Sequence, residues 1–228
     1  MTSRSPRALV AAAAALLLLL TGCQSASTAT PVPAAAAAPA TADGYGLTAG
    51  AGPVDVQLWT DLSCPYCQAL EAETGALLEQ WVADDTITLT LHPLNFVSAK
   101  HGDETDWSTR AANALAATVD AGQSDRLPAL YALLQEHQLT EAGAPTDEEI
   151  LAFAADAGVT ADIADAVAAQ RFGPWVTASN EHWLGRAIDG TERVVDGVPI
   201  LLVDGAVFEI TDGDTNAQRL QDAVAAAG

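Results

Sequence analysis

The strongest constraint on folding is a Cys-Pro-Tyr-Cys sequence at residues 64–67, placed where one predicted element ends and another begins. Residues 54–60 alternate between apolar and other side chains, which predicts a β-strand. Pro65 is typical of a first helical turn, and apolar residues then recur at helical spacing up to residue 83. A strand therefore delivers Cys64 to the start of a helix.

The position of Cys64 predicts a reactive thiol. The first N–H groups of a helix have no intrahelical partner and the helix dipole is positive there, so a thiolate is stabilised and the pKa of Cys64 should be depressed. Cys67 follows on the same side of the first turn, further inside. We expect Cys64 to attack or be attacked, and Cys67 to resolve the mixed disulfide.

A pair of cysteines at this spacing has three other interpretations. A zinc site would need more ligands, but the domain has no further cysteine, and His92, His101, His137 and His182 show no paired spacing. We therefore predict no metal. A purely structural disulfide would close only a short loop and contribute little stability. A redox site that has lost its function while keeping its cysteines stays open.

The N-terminus predicts export. Arg4 and Arg7 precede an apolar run at residues 8–20 and the small residues Thr21 and Gly22, the pattern of a signal peptide spanning 1–22. The sequence at residues 20–23, Leu-Thr-Gly-Cys, resembles the lipobox of bacterial lipoproteins, which implies cleavage before Cys23 and its lipidation. The alternative is an ordinary cleaved signal with Cys23 free. The lipid-anchored form would lie in the cell envelope, on the outer face of the cytoplasmic membrane.

Residues 23–52 are predicted to be a flexible tether. They are rich in Ala, Pro and Thr and almost devoid of charge and of large apolar side chains, so they cannot bury enough surface to fold. Such a tether would hold the following domain, residues 53–228, on the order of 30 Å from its anchor.

The charge excludes one class of partner. The chain has 9 basic and 30 acidic residues, a formal net charge of -21, and Lys100 is its only lysine. Nucleic-acid binding depends on clustered Lys and Arg and is not expected. The acidic surface is interpreted as a solvated one, or as a face for docking a partner.

The rest of the domain predicts the order β-α-β, helical block, β-β-α. A second strand is predicted at residues 86–91 and stopped by Pro93, and no strand is evident between about 103 and 192. Thr146 and Glu149 form a capping-box pattern within this block. Strands at 200–203 and 206–210 flank the turn Asp204-Gly205, and a helix is predicted at 215–227.

These features resemble the DsbA family of the thioredoxin-fold superfamily. The segments that carry the resemblance are Asp61-Leu62-Ser63-Cys64-Pro65-Tyr66-Cys67 after a strand, the long helical block, and Asp196-Gly197-Val198-Pro199-Ile200 before a hairpin. The order of elements matches over residues 54–228. The resemblance implies an α/β, thioredoxin-like fold with a helical insertion at about 103–192.

The resemblance also implies site residues. Pro199 matches a proline that lies in cis opposite the dithiol, and the backbone of Val198 would then pair with an extended substrate segment. Pro65 and Tyr66 complete the predicted active-site support. The sequence departs from the family at Ile200, where many members have Thr, and in the polar residues of the first strand, so the substrate groove and the sheet packing are expected to differ in detail.

The function implied is that of a protein disulfide oxidoreductase without a cofactor, acting as an oxidant on exported proteins or peptides and re-oxidised or re-reduced by a membrane redox partner. A reductase or isomerase of the same fold uses the same residues and remains an alternative, because direction depends on reduction potential. A non-catalytic peptide-binding lipoprotein is a further alternative. Asp61 could assist proton transfer, although in such a turn it would more often be a cap.

Overall fold

The computed structural model describes residues 38–40, 42, 44–138, 140, 143–213 and 215–228. The predicted signal peptide, Cys23 and the predicted tether as far as residue 37 lie outside the described residues and stay predictions. Within the described ranges, no helix has the length and apolar character needed to cross a lipid bilayer.

The domain has five strands and eight α-helices in its described part. In chain order they are β1 (Leu47–Ala49), β2 (Val54–Asp61), α1 (Pro65–Ala83), β3 (Ile87–Leu94), α2 (Phe96–Lys100), α3 (Trp107–Asp120), α4 (Leu127–Glu136), α5 (Asp147–Asp156), α6 (Ala164–Ala168), α7 (Gly173–Trp183), β4 (Ile200–Val203), β5 (Ala206–Phe208) and α8 (Asn216–Ala227). A short 3-10 helix, Ser124–Arg126, precedes α4.

The strands form one mixed sheet in the order β1-β3-β2-β4-β5. The central pair, β2 and β3, is parallel, and the other neighbours are antiparallel. Alternate residues of β4 enter different apolar clusters: Leu201 and Val203 join the main core, whereas Ile200 and Leu202 pack with Trp59. The sheet is therefore covered on both faces, and its centre places the end of β2 beside the start of β4.

The N-terminal boundary of the domain differs from the prediction. Residues 47–49, assigned to the tether, form β1, and Leu47 pairs with Leu91 and is fully buried. Gly52, which indicated flexibility, donates its N–H to the carbonyl of Ile87 at 3.2 Å, and a Cβ at residue 52 would overlap the backbone of residues 85–87. Glycine is required here by a close approach of two chain segments, so the assignment of residues 44–52 to the tether was wrong.

Pro93 does not end β3, contrary to prediction, because the strand continues to Leu94. The neighbouring strand β1 pairs only with residues 89–91 of β3. At Pro93 the strand is therefore an edge on that side, where a missing N–H costs no ladder hydrogen bond.

The helical insertion is confirmed, since α3 to α7 lie between β3 and β4. The Thr146 and Glu149 capping box is present at the start of α5. One strand end differs from the prediction: β5 stops at Phe208, two residues before the predicted end. Asp204 and Gly205 form the hairpin turn with φ values of 51° and 77°, as the Asp-Gly pair predicted.

Candidate functional site

Three chain segments meet at the dithiol. Strand β2 ends at Asp61, Cys64 is the N-cap residue of α1, and Pro65 occupies the first turn. On the other side, the peptide bond between Val198 and Pro199 is cis and leads directly into β4, the antiparallel neighbour of β2. The prediction of a cis bond at this position is confirmed.

Cys64 is the more exposed of the two thiols, although only 5% of its surface is accessible. Its Sγ donates to the carbonyl oxygen of Val198 at 3.5 Å. A hydrogen bond from the Cys67 thiol, together with the N–H groups of Cys67 and Tyr66 at the helix start, lowers the pKa of Cys64 to about 7, against burial and the charge of Asp61. The expected depression is present, and the partner thiol is its largest single cause.

Cys67 has the opposite character. It is 1% exposed, and burial raises the pKa of its thiol well above the usual value, although the Thr60 hydroxyl opposes this shift. Thr60 Oγ1 lies 2.6 Å from the hydroxyl of Tyr131, and Gln135 Nε2 donates to that hydroxyl at 2.9 Å. The inner sulfur therefore lies against a buried polar group contributed by β2 and α4.

Asp61 is fully buried and holds the turn before α1. Its Oδ1 accepts hydrogen bonds from the Ser63 N–H at 2.9 Å and from the Ser108 hydroxyl, and its Oδ2 accepts from the Val97 N–H at 2.9 Å. Burial raises the pKa of Asp61 to about 6, against these hydrogen bonds. Asp61 does not cap α1, whose N-cap residue is Cys64 and has no side-chain cap. Its carboxylate instead closes the turn before α1 through Ser63 and accepts from Val97 in the first turn of α2.

A groove of about 310 Å³ runs beside the dithiol. Tyr66, Val198 and Pro199 line it, together with Leu70 and Asn216, and the Tyr66 side chain is 71% exposed. Pro65 lies on the other side of the helix start, where it lines a separate cavity. Three of the four predicted support residues thus share one surface beside the dithiol.

Sequence reasoning missed the side chains that surround the inner sulfur. Tyr131 and Gln135 lie on α4, about 70 residues from Thr60 in the chain, and Ser108 lies on α3. Gln138, just after α4, also donates to the carbonyl of Cys64 at 3.1 Å. No local sequence signal relates these residues to the motif.

The described part of the chain contains no group of three or more His, Cys, Asp or Glu side chains that could hold a metal ion. Cys64 and Cys67 are both present as free thiols. The groups gathered here are suited to thiol chemistry, because one thiol ionises near neutral pH and its neighbour is held protonated.

Comparison with known proteins assigns the family. A family model described as thioredoxin matches residues 46–225, and no curated protein sequence matches the chain. The chain belongs to this thioredoxin family. The match begins just before β1, in agreement with the structural start of the domain.

Solved structures with the same fold include oxidised DsbA of Mycobacterium tuberculosis, with 18% identity and a TM-score of 0.63 over 80% of this chain and 93% of that one. The thiol-disulfide oxidoreductase MdbA of Actinomyces oris has 20% identity and a TM-score of 0.59 over 81% and 91%. BdbD of Bacillus subtilis has 15% identity and a TM-score of 0.58 over 84% and 96%. These similarities confirm the predicted DsbA-like fold with its helical insertion.

Proposed function

We propose that this protein is a thiol-disulfide oxidoreductase that acts on exported proteins through Cys64 and Cys67. The observation that carries the proposal is the asymmetry of the two thiols: the pKa of Cys64 is lowered to about 7, and that of Cys67 is raised. The solved structures with this fold include proteins named as thiol-disulfide oxidoreductases.

In the oxidising direction, a substrate thiolate attacks Cys64 Sγ of the Cys64–Cys67 disulfide. A substrate–Cys64 bond forms as the bond between the two cysteines breaks, and Cys67 leaves and takes up a proton. A second substrate thiolate then attacks the substrate sulfur and displaces Cys64 as a stabilised thiolate. The substrate gains a disulfide, and its two electrons reside on the dithiol until a membrane redox partner removes them.

Substrate binding is assigned to the groove lined by Tyr66, Val198 and Pro199. The Val198 carbonyl already contacts Cys64 Sγ, so a peptide paired with this backbone would lie beside the reacting sulfur. Pro65 is proposed to set the first turn of α1 and so to fix the N–H groups that face Cys64.

The roles of the sulfurs are tested by exchanging each for oxygen. We expect Cys64→Ser to abolish exchange with a disulfide-bearing peptide. In Cys67→Ser the Cys64 thiolate should attack the peptide disulfide, release one peptide thiol and accumulate as a mixed disulfide, detected by mass spectrometry. Cys23→Ser is the control, because it leaves both sulfurs of the motif in place and should retain exchange. Full activity in Cys64→Ser would refute the assignment, and an inactive parent chain would favour the non-catalytic peptide-binding alternative.

We propose the oxidising direction, because a thiolate stabilised relative to a free thiol favours the reduced form and makes the disulfide a better oxidant. One observation favours the reductase or isomerase alternative: a pKa of about 7 is close to that of the reductase thioredoxin, about 7, and far from about 3.5 in DsbA. Equilibration with a glutathione series decides between them. A reduction potential near roughly -120 mV supports the donor, and one near roughly -270 mV supports the reductase.

Export and lipidation at Cys23 complete the proposal. We expect the full chain to fractionate with membranes and to be released by Cys23→Ala, while Ser25→Ala, a neighbouring control, stays bound. An unchanged membrane fraction in Cys23→Ala would contradict the anchor.

A further inference from the structure

A second candidate site lies on the opposite flank of α1 from the peptide groove. A cleft of about 500 Å³ separates α1 from α4, and its walls include the small residues Ala72, Gly75, Ala76 and Ala132. Glu71 forms part of its lining and is only 7% exposed. The thiol chemistry proposed above uses none of these side chains.

The Glu71 carboxyl group has an unsatisfied oxygen. In the described part of the chain, no group donates a hydrogen bond to its Oε2. No ion pair of the described residues includes Glu71 either. A buried carboxyl group without a partner is costly, so it points to a group supplied from outside the chain.

The position of the carboxyl group is built into α1. A Cβ at Gly75 would overlap Glu71 Oε1, so the carboxyl group occupies the space that a side chain at position 75 would fill. Glycine in the middle of a helix is unfavourable by about 1 kcal/mol relative to alanine. The missing side chain leaves the room that the Glu71 carboxyl group occupies at the base of the cleft.

The cleft is acidic as well as narrow. Glu79 lies two turns after Glu71 on the same face of α1, and Glu136 lines the cleft from α4. The small side chains offer an apolar wall suited to an alkyl chain, and the carboxyl groups offer acceptors for its charged end. This combination matches the side chain of arginine or lysine, which has an apolar stem and a cationic tip.

We propose that the cleft between α1 and α4 binds a basic side chain, arginine or lysine, presented by a partner polypeptide. The cation pairs with the Glu71 carboxylate at the base of the cleft. The stem lies along the alanine residues, and Glu79 and Glu136 attract the cation at the entrance. This binding site is separate from the peptide groove, and the proposal does not depend on the direction or existence of thiol exchange.

The probe is N-acetyl-arginine methylamide, and its matched control is the citrulline analogue, in which a neutral urea replaces the guanidinium group. Binding to the full-length chain is followed by the NMR shifts of the backbone amides of Ala72, Ala76 and Ala132. We expect saturable shifts with the arginine probe and none with citrulline. Equal binding of both probes, or shifts caused by calcium ions but not by the arginine probe, would overturn the proposal.

Two substitutions test the base of the cleft. Glu71→Gln should weaken binding of the arginine probe by at least about tenfold, because a charge-assisted hydrogen bond is lost. Glu181→Gln, the same change of charge at an exposed position of α7, is the control and should leave binding unchanged. Unaltered binding in Glu71→Gln would contradict the site.

Gly75→Ala provides an independent variant, because alanine favours the helix while its Cβ displaces the Glu71 carboxyl group. It should weaken binding of the arginine probe without loss of helical circular dichroism, and undiminished binding would count against the proposal.

Binding of the arginine probe should also tighten as pH rises from 6 to 8, since the cation pairs with the carboxylate form of Glu71. The titratable groups facing Glu71 are Glu79 on α1 and Tyr131 and Glu136 on α4.

Discussion

Two buried carboxyl groups flank the dithiol, and their surroundings are opposite. Asp61, three residues before Cys64, accepts hydrogen bonds from Ser63, Val97 and Ser108. Glu71, four residues after Cys67, has an oxygen with no partner among the described residues. Burial raises the pKa of both, to about 6 for Asp61 and about 8 for Glu71.

The difference separates a structural role from a binding role. Asp61 connects β2, α2 and α3 and therefore fixes the turn that presents Cys64. Glu71 connects nothing within the described part of the chain and faces a cleft. A buried acid with three donors stabilises the fold around it, whereas a buried acid without them costs stability until a partner arrives.

The largest loss of stability is expected from removal of the Asp61 carboxyl group. Asp61→Ala leaves the buried N–H groups of Ser63 and Val97 without an acceptor, so the free energy of unfolding should fall by about 3 kcal/mol, measured by urea denaturation at pH 7. Asp61→Asn keeps one acceptor oxygen and should lose less. Asp222→Ala, at an exposed position of α8, is the control. A loss below that of the control would show that the hydrogen bonds of Asp61 do not hold the turn.

Substitution of Glu71 should raise the stability of the chain at pH 8 instead of lowering it. A carboxyl group whose folded pKa is raised contributes stability below its unfolded pKa of 4.5, and loses it as pH rises to about 8. Asp61 completes its own loss near pH 6, and of the two carboxyl groups only Glu71 loses stability between pH 6 and 8, a fall that the lowered pKa of Cys64 partly offsets above pH 7. Glu71→Gln should remove this fall, about 2 kcal/mol, and be more stable than the parent at pH 8.

Urea denaturation midpoints at pH 6, 7 and 8 measure the slope of stability against pH. Glu181→Gln should keep the slope of the parent, because the residue is exposed. Equal slopes between pH 6 and 8 in the parent chain and in Glu71→Gln would contradict the assignment of a raised pKa to Glu71.

A smaller loss of stability is expected from substitution of Tyr131, whose buried hydroxyl is affected by both Cys67 and Glu71. Tyr131→Phe removes hydrogen bonds to Thr60 and Gln135 but leaves Gln135 bonded to Thr60 at 3.2 Å. The free energy of unfolding should fall by about 1 kcal/mol. Tyr66→Phe, which removes an exposed hydroxyl, should change it little, and equal effects of the two substitutions would argue against the buried group.

The smallest expected effect is a change in the pKa of Cys64, the reactive thiol. The Asp61 carboxylate raises the pKa of Cys64, so Asp61→Asn should lower it, measured from the pH dependence of iodoacetamide alkylation. Glu71→Gln is the matched control, since Glu71 is not among the causes of that shift. A higher pKa in Asp61→Asn would mean that the hydrogen bonds of the turn outweigh its charge.

Several features of the fold were predictable because they depend on neighbours in the sequence. The strand before Cys64, the helix from Pro65, the Asp204-Gly205 hairpin and the capping box at Thr146 each rest on local backbone preferences. Local preferences gave wrong predictions at β1, which was assigned to the tether, and at Pro93, which does not end β3. Gly52 was needed for a close approach rather than for flexibility, and an edge position tolerated the proline.

The sequence by itself determined that two cysteines lie at the start of a helix, because a strand pattern, a proline and helical spacing are local properties. Only the tertiary structure decided which side chains surround each sulfur. Thr60 meets Tyr131 across 71 positions of sequence, and Asp61 meets Ser108 across 47. Such contacts depend on how the helical insertion packs against α1 and β2, and the same packing leaves the carboxyl group of Glu71 facing a cleft.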